Sequence, residues 1–199
     1  MNLADKRITI TRVFSVILIP LILFTTHSWR PDGAIEFAFK FSGLILVIIG
    51  SYGRIWSYLY ICGKKTKILV TSGPYSITRN PLYLFSFIGA AGIGLASENI
   101  AIMALVVIAF LVVYPFVIRA EEYKLEAAHG EKFREYAKSV PRFIPRSISI
   151  EEPTSYHISP KKFRYVFFDA MWFVWLYLIL LFIEKLQENA FLPILWKIP

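Results

Sequence analysis

The sequence has little of what disulfides, metal sites and soluble surfaces require. It contains one cysteine, Cys62, so no disulfide can form within the chain and a cysteine-rich metal site is excluded. Its three histidines, His27, His129 and His157, lack the spacing of a metal-binding motif, and we expect no metal. Charged residues make up only 18% of the chain, which is scarce for a soluble domain.

Apolar residues, by contrast, are abundant. They account for 56% of the 199 residues, and the mean hydropathy is +0.55. Such a composition is typical of a protein that crosses the membrane several times. A net charge of +8 is also found in nucleic-acid-binding proteins, but here the basic residues adjoin apolar runs. We therefore expect contact with membrane lipids and no nucleic acid partner.

Five apolar runs predict an all-α polytopic bundle of about five transmembrane helices. The runs cover approximately residues 8–26, 37–62, 82–96, 100–118 and 166–183. Residues 1–145 are expected to form the core, and residues 146–199 a linker, an additional helix and an interfacial tail. Residues 120–140 have the periodicity of an amphipathic helix.

Small residues recur at four-residue spacing in the third run. Gly92 and Ala96 share one helical face, and Ala90 and Gly94 share another. In a membrane this spacing permits two helices to approach closely.

The distribution of basic residues predicts the orientation of the chain. Leaving Arg54 aside, 17 Lys and Arg residues lie near the N-terminus, between the second and third runs, and from Arg119 to Arg164, against four elsewhere. The positive-inside rule places these three segments in the cytoplasm, and five spans would place the C-terminus opposite. We expect a multi-pass integral membrane protein with a cytoplasm-facing site, in the inner or plasma membrane of a bacterium or the endoplasmic reticulum of a eukaryote.

A polar, turn-rich stretch, Leu69 to Tyr83, lies between the second and third runs. Gly73-Pro74 marks one turn, and Asn80-Pro81 marks the break before the next apolar run. Proline is well suited to the first position of a helix, and the free backbone N–H groups there can meet an anionic or polar ligand. An ordinary loop between two membrane helices is the alternative interpretation.

Two groups of residues carry a resemblance to a known family. The first is Gly53-Arg54-x-Trp56, Leu69 to Tyr75 and Arg79-Asn80-Pro81-Leu82-Tyr83; the second is Glu121-Glu122, Leu125, Gly130, Phe133, Tyr136 and Val140 to Pro145. In this order, with a helical hairpin between them, they resemble the two signatures of the integral-membrane methyltransferases. That family includes isoprenylcysteine carboxyl methyltransferases and phospholipid N-methyltransferases, and the resemblance covers roughly residues 53–145.

The resemblance implies that S-adenosylmethionine binds at the cytoplasmic membrane face and donates a methyl group to a lipophilic acceptor. By position, the cofactor-binding residues that it implies are Lys67, Ile68, Leu69, Val70, Tyr75, Asn80, Pro81, Leu82, Tyr83, Glu121 and Glu122. We take Arg79 and Arg119 as the candidate catalytic residues. Tyrosine rings can attract the sulfonium, and a carboxylate can accept hydrogen bonds from the cofactor's amino and hydroxyl groups.

Two positions differ from the family pattern. Asn80 stands where the family commonly has histidine, and asparagine cannot serve as a general base. Val117 stands where the prenylcysteine enzymes have an arginine directed at the substrate carboxylate, and the nearest guanidinium is Arg119. A carboxylate acceptor needs no base, whereas an amine or hydroxyl does.

Other interpretations stay open at the level of sequence. The chain could be a relative of NADPH-dependent sterol-type reductases, or a non-enzymatic membrane module. Glu121 and Glu122 could form a charged helix edge, and Arg54 could extend to lipid headgroups. Asp169, in the fifth run, requires a partner such as Arg164 or a residue on a neighbouring span.

Overall fold

The protein is an all-α membrane bundle with one very small sheet. The computed structural model describes residues 16–27, 33–64, 67–146, 149–155 and 158–198. Its helices are α1 (described over 16–24), α2 (Ala34–Ile61), α3 (Pro74–Ile77), α4 (Pro81–Ala96), α5 (Ile100–His129), α6 (Glu131–Ser139) and α7 (Pro160–Glu188). Strands β1 (Thr25–His27) and β2 (Trp196–Ile198) pair in parallel. The predicted fold class is confirmed.

Three helices in the described part of the chain are long and apolar enough to cross a membrane. They are α2, α5 and α7, with mean hydropathies of 1.8, 2.9 and 2.3 over their most apolar stretches. The third apolar run forms α4, which is apolar but has 16 residues, fewer than the roughly 20 that span a bilayer without local thinning. Residues 8–15 of the first run lie outside the described residues, so the prediction of five spans stays a prediction.

Helix α5 does not end where the apolar run ends. It continues through Glu121 and Glu122 to His129, because no proline or glycine occurs between Arg119 and His129. Gly130 has a φ of 56°, which favours glycine, and α6 begins at the next residue. The helix expected over residues 120–140 is therefore divided between the end of α5 and α6. The predicted interfacial tail contains β2, which the sequence did not indicate.

Packing divides the chain into two compact units, each discontinuous in sequence. The first unit draws its described residues from Met1–Ile48, Gly89–Val113 and Phe173–Pro199, and the second unit from Ile49–Ile88 and Tyr114–Trp172. The units are discontinuous because α2, α4, α5 and α7 each contribute residues to both. The predicted boundary at residue 145 stays a prediction.

Small residues bring α2 and α4 together in the first unit. Val47, Ile93, Ala96 and Tyr177 form its buried apolar cluster. A Cβ on Gly92 would lie 2.7 Å from the carbonyl oxygen of Gly43, which leaves no room for any side chain. The face formed by Gly92 and Ala96 therefore allows the close helix approach that its spacing predicts.

In the second unit, an ion pair joins α2 to α7. Arg54 Nη2 lies 2.6 Å from Asp169 Oδ2, and the same guanidinium donates to the hydroxyl of Ser86 on α4. Of the partners that the sequence left open for Asp169, the structure gives the one on a neighbouring helix. Arg54 is thus held among three helices by polar contacts.

We expect Asp169→Asn to lower the free energy of unfolding by roughly 1.5–3 kcal/mol, the usual worth of a charge-assisted hydrogen bond. The substitution removes the carboxylate charge from beside the Arg54 guanidinium, whose side chain is only 20% exposed. Thermal unfolding in detergent measures the effect. The double variant Arg54→Gln/Asp169→Asn should recover part of the loss, and a single variant as stable as the wild type would contradict the pairing.

Candidate cofactor site

The polar stretch after α2 is shaped by a glycine that no other residue can replace without strain. Gly73 has a φ of 62°, and a Cβ there would lie 2.2 Å from the ring of Tyr60. This turn starts α3 at Pro74 and places Tyr75 in the interior of the second unit. The chain then becomes extended at Thr78, and α4 begins at Pro81, as the sequence predicts.

The residues between α3 and α4 bond directly to the segment that follows α6. Thr78 Oγ1 donates to the carbonyl of Phe143 at 2.9 Å, and the backbone N–H of Arg79 donates to the carbonyl of Pro141 at 2.9 Å. Asn80 Nδ2 donates to the carbonyl of Arg142 at 3.0 Å. Arg79 and Asn80 of the first signature, together with the preceding Thr78, are therefore held against three consecutive residues of the second signature.

Glu122 lies at the centre of this contact. Its side chain is only 9% exposed, and Asn80 Nδ2 donates to its Oε1 at 3.2 Å. Arg79 Nε lies 3.3 Å from the same carboxylate, and Arg142 Nη2 lies 2.8 Å from it. One buried carboxylate thus contacts two guanidiniums and accepts a hydrogen bond from an amide. Asn80 and Glu122, both predicted as cofactor residues, are therefore hydrogen-bonded to each other.

Tyr75 interacts electrostatically with Tyr83 and Glu121 in the second unit. Burial raises the pKa of the Tyr75 hydroxyl well above its ordinary value, and the nearby Tyr136, Glu121 and Tyr83 raise it further. Tyr136 donates its hydroxyl to the carbonyl of Tyr75 at 2.7 Å. The ring of Tyr83 packs edge-on against Tyr114 on α5, with centroids 5.4 Å apart. The structure therefore groups three of the predicted cofactor residues.

The other predicted cofactor residues have different surroundings. Pro81 is fully buried at the start of α4, and Leu82 is partly buried beside it. Lys67 and Ile68 are exposed, and their backbone N–H groups donate to the carbonyl of Lys64. Leu69 and Val70 are partly buried. The contacts described above for Tyr75, Tyr83 and Glu121 do not include the segment from Lys67 to Val70.

An open cavity of about 480 Å³ lies in the second unit beside Glu122. Arg79 and Arg119, the two candidate catalytic residues, both line it. Arg142 and Lys138 line it as well, although neither was predicted from the sequence as a site residue. Arg142 lies within the second signature, between Pro141 and Pro145, and this position could have indicated a role in the site.

A separate cluster of carboxylates lies in the first unit. Oxygen atoms of Glu36, Glu98 and Glu184 all lie within 4.8 Å of one another, a spacing that metal ligands can have. The Lys40 ammonium already lies among them, 2.6 Å from Glu36, 2.6 Å from Glu184 and 3.5 Å from Glu98. A cation would have to displace this ammonium, so the cluster is accounted for by ion pairs.

The titration of Glu98, a member of this cluster in the loop between α4 and α5, should make the stability of the protein depend on pH. Burial raises its pKa to about 7; the Lys40 ammonium opposes the shift, whereas Glu184 and Glu36 increase it. Between the ordinary pKa of 4.5 and about 7, the folded state keeps a proton that the unfolded state has lost. The free energy of unfolding should therefore fall as pH rises through this range.

Glu98→Gln should flatten that pH dependence, because the amide does not titrate. Thermal unfolding of both proteins between pH 4.5 and 8 measures it, within the range set by the pKa of Glu98. Glu188→Gln is the matched control, since Glu188 belongs to the same unit but is largely exposed. Equal pH slopes for the wild type and Glu98→Gln would contradict the assignment.

The family of this chain follows from comparison with known proteins. A family model described as phospholipid methyltransferase matches residues 38–132, which contain Asn80, Glu121 and Glu122. The chain belongs to this family of membrane methyltransferases.

Two similar relatives carry names from metal resistance. The chain is 36% identical over 198 residues to nickel-cobalt-cadmium resistance protein NccN of Alcaligenes xylosoxydans, covering 99% of this chain and 92% of the relative. It is 35% identical over 173 residues to cobalt-zinc-cadmium resistance protein CzcN of Cupriavidus metallidurans, covering 86% and 79%. No solved structure matches the chain.

Proposed function

We propose that the protein transfers a methyl group from S-adenosylmethionine to a lipophilic acceptor in the membrane. The observation that carries the proposal is the hydrogen bond between Asn80 of the first signature and Glu122 of the second, in the unit where Tyr75 interacts electrostatically with Tyr83 and Glu121. Two signatures distant in sequence thereby contribute to one region of the second unit. Membership of the phospholipid methyltransferase family supports the same reaction class.

The side chains in this group fit a positively charged ligand. A partly buried carboxylate, Glu121, and two tyrosines that interact electrostatically with each other favour a cation over a neutral group. When bound, S-adenosylmethionine would supply an electrophilic methyl group. The hydrogen bond from the Tyr136 hydroxyl to the Tyr75 carbonyl fixes the backbone at Tyr75, and the Tyr75 side chain is buried.

The available side chains favour an acceptor that needs no general base. Asn80 does not titrate, and Glu122 is engaged by Asn80 and two guanidiniums. Arg79 and Arg119 lie in the neighbouring cavity and are the candidates for orienting the acceptor. We propose an acceptor whose attacking atom is already unprotonated, such as a carboxylate.

Calorimetry in detergent with S-adenosylmethionine and its demethylated product tests cofactor binding. We expect micromolar-range affinity, about −8 kcal/mol, for both. Folded protein that gives neither heat nor saturation would overturn the proposal. Titration with NADPH in the same buffer distinguishes a methyltransferase from a reductase. Binding of neither cofactor would favour a non-enzymatic membrane module. Transfer of a labelled methyl group into the lipid fraction of a membrane extract then tests the reaction.

We propose that this site faces the cytoplasm, as the basic residues predict. Single cysteines at Ser72 and Asn189, introduced on a Cys62→Ser background, should be labelled from opposite sides of the membrane. Labelling of both from the same side would exclude the five-span arrangement with a cytoplasmic site.

The names of the relatives favour a physiological role that we also propose, resistance to transition-metal cations. On this proposal the methyl transfer itself confers the resistance, since ion pairs with Lys40 account for the acidic cluster found in the described residues. Growth of a sensitive strain on nickel, cobalt and cadmium tests it, with wild type compared with Glu121→Gln at equal expression. Equal protection by both proteins would show that resistance does not depend on the cofactor.

A further inference from the structure

The open cavity of about 480 Å³ in the second unit is strongly basic. Two helices supply most of its wall. On α5, positions 119, 122, 123 and 126 recur at intervals of three and four and so share one face. The turn at Gly130 brings α6 back so that Phe133, Arg134, Ala137 and Lys138 face the same space. Arg79 and Arg142 complete the wall.

The charges that line this cavity do not balance. Its five cationic side chains are Arg79, Arg119, Arg134, Lys138 and Arg142, and its two carboxylates are Glu122 and Glu126. Glu122 forms ion pairs with both Arg79 and Arg142, so its single negative charge leaves one positive charge of this pair uncompensated. Arg134 is paired, because Glu126 lies 2.9 Å and Glu131 3.3 Å from it.

Two further cations add to this excess. Arg119 and Lys138 both line the cavity, and within the described residues neither makes an ion pair. Both are exposed, on α5 and α6 respectively. The cavity wall therefore carries about three positive charges that the described residues do not neutralise.

We propose that this cavity binds a phosphate group that carries net negative charge. A phosphate offers more acceptor oxygens than a carboxylate, and the planar guanidinium of arginine can donate to two of them at once. Arg119 and Lys138 would bind it directly, while the contact of Arg79 and Arg142 with Glu122 fixes the position of the wall. The phosphate site shares Arg119 with the proposed acceptor position, but phosphate binding can be measured without cofactor and without methyl transfer.

Two sources share this chemistry, the headgroup of an anionic lipid and a soluble phosphate. The first experiment follows acetylation of lysines in the wild-type protein by mass spectrometry, without cofactor. Lys138 lines the cavity, whereas Lys132, also exposed on α6, does not, and so serves as the internal control. One arm adds inorganic phosphate in detergent. The other compares phosphatidylcholine nanodiscs with and without phosphatidylglycerol.

In at least one arm, acetylation of Lys138 should slow about fivefold or more, with that of Lys132 unchanged. Protection by phosphatidylglycerol alone assigns the site to a lipid headgroup, and protection by inorganic phosphate alone assigns it to a soluble ligand. Protection of neither lysine, or equal protection of both, would overturn the proposal. These measurements need no variant, so they do not depend on a substituted protein folding.

Variants then test the two direct contacts by titrating the ligand that protected Lys138. Arg119→Gln/Lys138→Gln should weaken binding about tenfold or more, because two charge-assisted contacts are lost. Lys124→Gln/Lys132→Gln removes the same charge from exposed positions on the same two helices, outside the cavity wall, and should weaken it less than about threefold by screening alone. Equal weakening in the two double variants would show non-specific attraction and overturn the site. Cofactor affinity, measured separately, reports on the proposed function independently.

Discussion

Glu121→Gln is expected to weaken the binding of S-adenosylmethionine by roughly ten- to a hundredfold. The substitution removes one charge-assisted hydrogen bond, which is worth about 1.5–3 kcal/mol, and keeps the shape of the side chain. Glu121 is the partly buried carboxylate near Tyr75 and Tyr83, where a cationic ligand would gain most. Calorimetric titration of the cofactor measures the change, and thermal unfolding checks that stability is kept.

Arg119→Ala is the matched comparison for this prediction. Arg119 is exposed and lines the basic cavity, outside the group formed by Tyr75, Tyr83 and Glu121. Its loss should lower turnover or acceptor affinity, while the cofactor dissociation constant stays within about twofold. If the wild type and Glu121→Gln bind the cofactor equally well, the proposed cofactor site is wrong.

Glu122→Ala is expected to destabilise the protein by about 3–5 kcal/mol, the usual cost of removing one partner of a buried ion pair. Arg79 is 11% exposed and would lose its counter-ion, and Asn80 would lose one of its two acceptors. The contact between the two signatures would loosen as a result. Thermal or denaturant-induced unfolding in detergent measures the loss.

Two variants make this prediction specific. Glu131→Ala removes a carboxylate from an exposed position that contacts only Arg134 among the described ion pairs, and should change stability by less than about 1 kcal/mol. Asn80→Ala should destabilise the protein less than Glu122→Ala, since both guanidiniums keep their carboxylate. Full stability of Glu122→Ala would mean that the signatures are held together without this carboxylate.

The class of protein follows from sequence because it depends on local composition. Each apolar run buries its backbone polar groups within its own helix, so length and hydropathy suffice to predict membrane helices. The breaks at Gly73-Pro74 and before Pro81 are equally local, since glycine and proline restrict the backbone wherever they occur. The resemblance to the methyltransferase family likewise depends only on the residues of the two signatures and on their order along the chain.

The neighbouring residues Glu121 and Glu122 could not be distinguished from sequence. They differ by one position on α5, a rotation of about 100°, so only Glu122 contacts Asn80 and Arg142, whereas Glu121 interacts electrostatically with Tyr75. The rotation of α5 is set by packing against residues some 40 positions earlier in the chain. The local sequence pattern therefore does not predict the rotation of α5 about its axis.

Tertiary structure alone also decided the partner of Asp169 and the basic cavity. Arg54 and Asp169 are 115 positions apart, and Arg79 meets Arg119 and Lys138 around one space only after α5, α6 and the loop before α4 have packed. The sequence determined which side chains carry charge and which segments form helices. Which charges meet depends on contacts between distant segments, and those contacts exist only in the folded chain.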